Sequence, residues 1–161
     1  MQSSRPSPPA PPCEVTLRKV QPADLPAIFA FECDPAWRAM AMVKPRSEEA
    51  FKDVWAKIFR DWAAGDTTVV QRAILADGEL CGSIGCLHPG GRCTVGYGLG
   101  QAWWGRGIAS RALALLLAQV SQRPLYATTA ATNTASRGFW GHATFPSNLP
   151  SSACTGCNLS N

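Results

Sequence analysis

In residues 14–20, apolar Val15 and Leu17 alternate with polar Thr16 and Arg18, the two-residue period of a strand. Gln21-Pro22-Ala23-Asp24 then offers a helix start, with Asp24 as cap and Pro26 tolerated in the first turn, and a short helix should run to about Phe31. Asp34-Pro35 breaks it, and residues 37–45 have no clear period and read as loop or short helix. A longer helix follows. Ser47 supplies its cap, Glu48 and Glu49 stand at the positive end of its dipole, and Phe51, Trp55, Ile58 and Trp62 recur on one face until Gly65 ends it. Those aromatics are expected in the core.

Residues 67–76 are rich in β-branched side chains, Asp77-Gly78 is a two-residue hairpin signal, and residues 79–87 form the return strand. His88-Pro89-Gly90-Gly91 makes the next turn, and residues 92–99 complete an antiparallel meander. Beyond it, Leu113, Leu116, Leu117 and Val120 share one helical face, flanked by Ile108 and Leu115, so this helix should bury a wide stripe against the sheet. Pro124 closes that region, residues 125–131 read as another strand, and Asn133 begins a last helix. An order of strand, two helices, three antiparallel strands, helix, strand and helix belongs to the α/β class.

Between the third meander strand and its helix lies Gly105-Arg106-Gly107. Two residues without Cβ atoms let the backbone turn tightly and approach a ligand closely. The first amides of the following helix lack intrahelical partners and carry the positive end of its dipole, so the segment reads as a cradle for a phosphate or pyrophosphate. Small residues at Ala109 and Ser110 leave room beside it. No Gly-Lys-Ser/Thr is present, and Ser110 stands where a dinucleotide fingerprint needs glycine, so neither familiar nucleotide motif fits.

A third motif does fit. Tyr97-Gly98-Leu99 followed by Trp104-Gly105-Arg106-Gly107-Ile108-Ala109-Ser110 resembles the GNAT superfamily of N-acetyltransferases, in the branch similar to ribosomal-protein alanine/serine N-acetyltransferases. Downstream, Asn133-Thr134-Ala135-Ser136 is similar to that family's Asn-x-Ala-Ser, and the likeness covers roughly residues 14–137. It implies an α/β, GNAT-like acyl-CoA N-acyltransferase fold, a central, mostly antiparallel twisted sheet flanked by helices. It also implies acetyl-CoA as cosubstrate, with Tyr97, Gly98, Leu99, Trp104, Gly105, Arg106, Gly107, Ile108, Ala109, Ser110 and Asn133 around it. By the same resemblance, backbone amides near Tyr97, Gly98 and Leu99 hold the acetyl carbonyl, and Ser136 protonates the departing sulfur. Asn133 reads equally as a helix cap, which is compatible with a coenzyme contact, and Ser136 as an ordinary first-turn serine.

Composition narrows the partners. Residues 1–79 carry ten basic and eleven acidic side chains, net −1, whereas residues 80–161 carry five arginines and no Asp or Glu, net +5, which together give the chain's +4. A half free of carboxylates suits a polyanionic coenzyme, or simply holds solvated arginines. Without a lysine-rich run or an aromatic-interleaved basic stripe, nucleic acid is not the expected partner. Residues 1–12 contain no apolar stretch of secretory length and no segment reaches the length of a membrane span, so the expectation is a cytoplasmic protein, monomeric or homodimeric, with no membrane partner. Its seven cysteines read as reduced thiols, and Cys154-x-x-Cys157, with no second pair or histidine beside it, as a chance pair on an irregular tail, so no metal is expected.

Residues 1–12, with five prolines and three serines, are expected to be a disordered leader, residues 13–145 the N-acetyltransferase domain, and residues 146–161 an irregular tail. After Arg137 the chain departs from the family's pattern. Gly138 and Gly141 fall inside the expected helix, each costing about 1 kcal/mol relative to alanine. Residues 146–161 show no strand pattern, so the family's C-terminal strands should be missing, as in a chain that ends in a changed reading frame or a truncated gene.

Transfer of acetyl to an amine needs a neutral nucleophile, donors for the oxyanion and a proton for the thiolate. No general base stands out. His88 and Glu79 lie at strand ends and read as exposed edge residues or as groups near the acceptor. An α-amine, with a pKa of about 7.7–8.0, is partly neutral at pH 7 and needs less help than lysine. The acceptor is therefore expected to be a protein or peptide N-terminus, or a small amine. A coenzyme-A-binding module without turnover is the alternative.

Overall fold

Among the described residues, six strands lie in chain order across one sheet: β1 (Val15–Lys19), β2 (Val70–Ala76), β3 (Glu79–Leu87), β4 (Cys93–Leu99), β5 (Leu125–Thr129) and β6 (Thr155–Leu159). The computed structural model describes residues 13–41, 46–87, 93–121, 125–129 and 155–159. Neighbouring strands are antiparallel except β4 and β5, which run parallel. A parallel pair needs a long crossover, and α4 (Ile108–Gln119) provides it. Between β1 and β2 come α1 (Leu25–Cys33), α2 (Pro35–Ala41) and α3 (Glu48–Ala63).

Each sheet face has its own core. On one, Ile108, Ala112, Leu113 and Leu116 of α4 pack with Ile74, Ile84, Val95 and Leu99. On the other, Phe51, Trp55 and Ile58 of α3 pack with Ile28, Val20 and Ala73, as the spacing of the aromatics predicts. Leu115 is an exception to the expected stripe. It is 37% exposed, because Ala112, Leu113 and Leu116 already face the sheet and Leu115 falls outside their arc.

Local chemistry explains several element ends. Ser47 Oγ accepts from the Ala50 N–H at 3.1 Å, capping α3. Asp77 and Gly78 both have positive φ, 50° and 81°, as a type I′ hairpin requires. Asp34-Pro35 ends α1 and also starts α2, since Asp34 Oδ1 accepts from the Ala36 N–H at 2.8 Å and proline suits a first helical position. β2 begins at Val70 rather than residue 67, because the Asp66 carboxylate takes the Thr68 N–H at 2.8 Å and turns the chain there.

Asp24 stands at the N-cap position expected for the first helix, but its side chain makes no cap hydrogen bond there. It ends a 3-10 turn, Pro22–Asp24, and its carboxylate accepts the Gln21 N–H (2.8 Å) and both terminal nitrogens of Arg18 (2.6 and 2.8 Å). A bidentate charged fork is a stronger partner for a carboxylate than a single cap amide. That bond to Arg18 holds the Asp24 carboxyl below its ordinary range against the opposing effect of burial.

The tail, expected to be irregular, holds one described strand, β6. Thr155–Leu159 pairs along all of β5, from Leu125 opposite Leu159 to Thr129 opposite Thr155, with Cys157 opposite Ala127. Ladder hydrogen bonds come from the backbone, so the free edge of β5 accepts a segment whose side chains do not alternate. The leader, His88 and the helix expected from Asn133 lie outside the described residues. No helix among the described residues is long and apolar enough to cross a membrane.

Candidate active site

β4 and β5 part company at Val95. Their ladder holds for Cys93 with Leu125, Thr94 with Tyr126 and Val95 with Ala127 and then stops, although β4 continues to Leu99 and β5 to Thr129. On its other side β4 stays paired with β3 from Thr94, opposite Leu87, to Leu99, opposite Gly82. Among the described residues, an opening is thus left along β4 past Val95, on the way to the loop before α4.

Strand geometry decides which main-chain groups face it. The Gly100 N–H donates to Cys81 O on the β3 side at 2.9 Å, so Gly98 and Gly96 face β3 as well, and Leu99 faces the opening. The Leu99 carbonyl is occupied by the Trp104 indole N–H at 3.0 Å, whereas the Leu99 N–H points to the side of β4 where the ladder to β5 has already ended. Trp104 thus ties the loop to the end of β4, and 39% of its surface remains exposed.

Gly105 and Gly107 have φ of 73° and 71°, and no atom lies within 4 Å of where a Cβ would be. What these positions require of glycine is backbone conformation rather than space. The first helical bond of α4 runs from the Arg111 N–H to Gly107 O, so the N–H groups of Gly107, Ile108, Ala109 and Ser110 reach no backbone acceptor among the described residues. The Ile108 side chain is buried in the core, Ala109 packs beside it, and Ser110 is exposed. Arg106 lies with its guanidinium 5.2 Å from the centre of the Trp103 ring.

Two groups around this loop escape a reading by motif. Arg111, one turn into α4, sends Nη2 to Arg106 O at 2.9 Å and Nη1 to Cys13 O, with Nε 3.4 Å from Gly107 O. Its sequence signal is an arginine with no acid three or four residues away on either side. Trp37 of α2 lies over β4 on the opposite face, its Nε1 2.6 Å from where a Cβ on Gly98 would stand. Only a residue without a side chain admits that contact, and Phe31 of α1 crowds Gly100 in the same way, at 2.7 Å.

The expected site residues fall into three groups. Tyr97, Gly98, Leu99, Trp104, Gly105, Arg106, Gly107, Ile108, Ala109 and Ser110 come together at the strand end, the loop and the first turn of α4. Glu79 is exposed at the start of β3, at the end of the sheet where Leu99 pairs with Gly82. Asn133 and Ser136 lie outside the described residues. Beneath the site, Cys81 donates its thiol to Ile74 O at 3.3 Å, and burial, with a smaller contribution from Cys13, pushes it up to about 11. It stays protonated at neutral pH and is not a nucleophile.

Unpaired amides at the start of α4 are what the glycine motif leads one to expect of this loop. Residues 14–145 match the acetyltransferase (GNAT) domain family. The chain belongs to that family. It is an acyltransferase by family, and solved structures share its architecture. An acetyltransferase from Agrobacterium tumefaciens is 22% identical with a TM-score of 0.68, covering 95% of this chain and 94% of its own. RimL, a ribosomal L7/L12 alpha-N-protein acetyltransferase in complex with coenzyme A, is 18% identical with a TM-score of 0.65, covering 90% and 89%. An acetyltransferase from Salmonella typhimurium that modifies the N-terminal serine of ribosomal protein L7/L12 is 20% identical, with a TM-score of 0.61 and coverage of 78% and 76%. At these identities the common feature is the fold. A comparison with curated protein sequences finds no match.

Proposed function

We propose that this GNAT acetyltransferase moves acetyl from acetyl-CoA to an α-amine, at a protein or peptide N-terminus or on a small amine. The observation that carries this reading is the row of unpaired N–H groups from Gly107 to Ser110, reached along the opened side of β4. Diphosphate oxygens bind at those amides, and the pantetheine arm follows β4. The Leu99 N–H then donates to the thioester carbonyl, where negative charge grows as the amine attacks.

In that step the amine lone pair forms the C–N bond, the C–S bond breaks, the nitrogen gives up a proton and the sulfur leaves as a thiol once protonated. Asn133 as a coenzyme contact and Ser136 as the proton donor follow from the resemblance of their motif. An α-amine acceptor fits a site without an evident base, because its pKa of about 7.7–8.0 leaves part of it neutral at pH 7. The Salmonella protein, which modifies an N-terminal serine, supports the same acceptor class. Free thiols at Cys13, Cys33, Cys81, Cys86 and Cys93 agree with a reducing, cytoplasmic setting.

Melting curves with acetyl-CoA and with dephospho-coenzyme A, run beside thiol release from a panel of amines, test the proposal. At a ligand concentration a hundred times Kd, binding should add about 2.7 kcal/mol of stability. Thiol release should be faster with peptide α-amines than with lysine side chains. Absence of any thermal shift would sink the coenzyme reading, and a shift without thiol release from any amine would select a binding module instead.

A further inference from the structure

We infer that Arg111 is a positioning residue for the anion loop, one that fixes the direction of its amides and places a positive charge behind them. This rests on the coenzyme reading of residues 105–110. In a trans peptide the C=O and the following N–H point in opposite directions. Arg111 Nη2 holds Arg106 O at 2.9 Å, and Nε lies 3.4 Å from Gly107 O. Both carbonyls are therefore drawn to the guanidinium side, and the N–H groups of Gly107 and Ile108 are turned to the other, where a ligand would lie.

Left-handed glycines have many alternative conformations, so a loop built on Gly105 and Gly107 does not hold that orientation by itself. The guanidinium supplies the constraint because its own position is fixed from a third direction: Nη1 donates to Cys13 O, just ahead of β1. Its planar fork spans these carbonyls as the single ammonium of a lysine could not.

Arg111 also differs from Arg18 and Arg46, which are paired with Asp24 and Glu32. Among the described residues no carboxylate pairs with Arg111. Its charge is left uncompensated on the far side of a single peptide layer from the amides, where it adds to the helix dipole in attracting a diphosphate.

Calorimetric titration of coenzyme A into the unaltered 161-residue chain, the Arg111→Met variant and the Arg111→Lys variant tests the assignment without needing the acceptor. Arg111→Met keeps an apolar stem but loses the fork and the charge, and should weaken binding about tenfold, the effect of losing a charge-assisted hydrogen bond. Its Kd should also depend less steeply on salt, which loss of packing alone would not produce. Arg111→Lys keeps the charge and should fall between, about threefold weaker than wild type. A folded Arg111→Met protein that binds within twofold of wild type overturns the inference. Should that variant fail to fold, Arg111→Lys decides, and affinity equal to wild type overturns it. If the wild type itself takes up no coenzyme A, the coenzyme reading has failed rather than the role of Arg111.

Discussion

Gly82 and Gly107 show two different reasons for a glycine near the site. Gly107 adopts a left-handed conformation in open space, so Gly107→Ala meets no neighbour and should cost about 1 kcal/mol of stability from backbone strain alone. Gly82 has no such conformation, yet a Cβ there would stand 2.0 Å from Gly98 O, inside the β3–β4 ladder. Gly82→Ala must push the strands apart, and should cost about 1–3 kcal/mol as other overpacked positions do. Urea midpoints should rank Gly82→Ala as the less stable of the two, and the reverse ranking would contradict this account.

At the scale of elements, the approach to the site is built from strands that pair on one side only and from contacts that fix where each strand ends. Trp104 closes the last carbonyl of β4. Arg18 and Asp24 join the end of β1 to the turn before α1. Arg18 holds the Asp24 pKa below its ordinary 3.8, so the folded state binds that proton less readily than the unfolded chain. The stabilisation is complete above the ordinary value and is lost as pH falls through 3.8 toward the lower folded value. Asp24→Asn should therefore be less stable than wild type at pH 7, and the gap should shrink by pH 3. Urea unfolding at the two pH values measures it, and a gap that widens in acid would contradict the pairing.

Across the whole molecule, the sheet divides two cores. The one beneath α3 is an aromatic row, Phe29, Phe51, Trp55, Phe59 and Trp62, with successive ring centres 5.0–6.3 Å apart. Phe51 stands in it 1% exposed, so Phe51→Ala should cost about 3–5 kcal/mol, a large share of a typical 5–15 kcal/mol stability. Equilibrium denaturation would show it, and a loss below about 1 kcal/mol would mean that the row is not a core.

Much of this architecture could be read along the chain. The period of the α3 aromatics, the Ser47 cap, the Asp77-Gly78 hairpin and the turn into α4 each depend on residues within one or two turns of one another, and local spacing carries that information. The glycine motif likewise marked the loop. Asp24 takes the cap position that its sequence context predicts, but its carboxylate turns to Arg18, a partner reached only when β1 and the turn pack together. The β6 pairing had no signal in side-chain alternation, since the edge of β5 supplies the order. The parting of β4 from β5, the fit of Trp37 over Gly98, and the reach of Arg111 to a carbonyl 98 residues away are products of tertiary structure alone. Spacing along a chain fixes what neighbours in sequence can do, whereas the direction of an unpaired amide is set by whatever the fold brings up behind it.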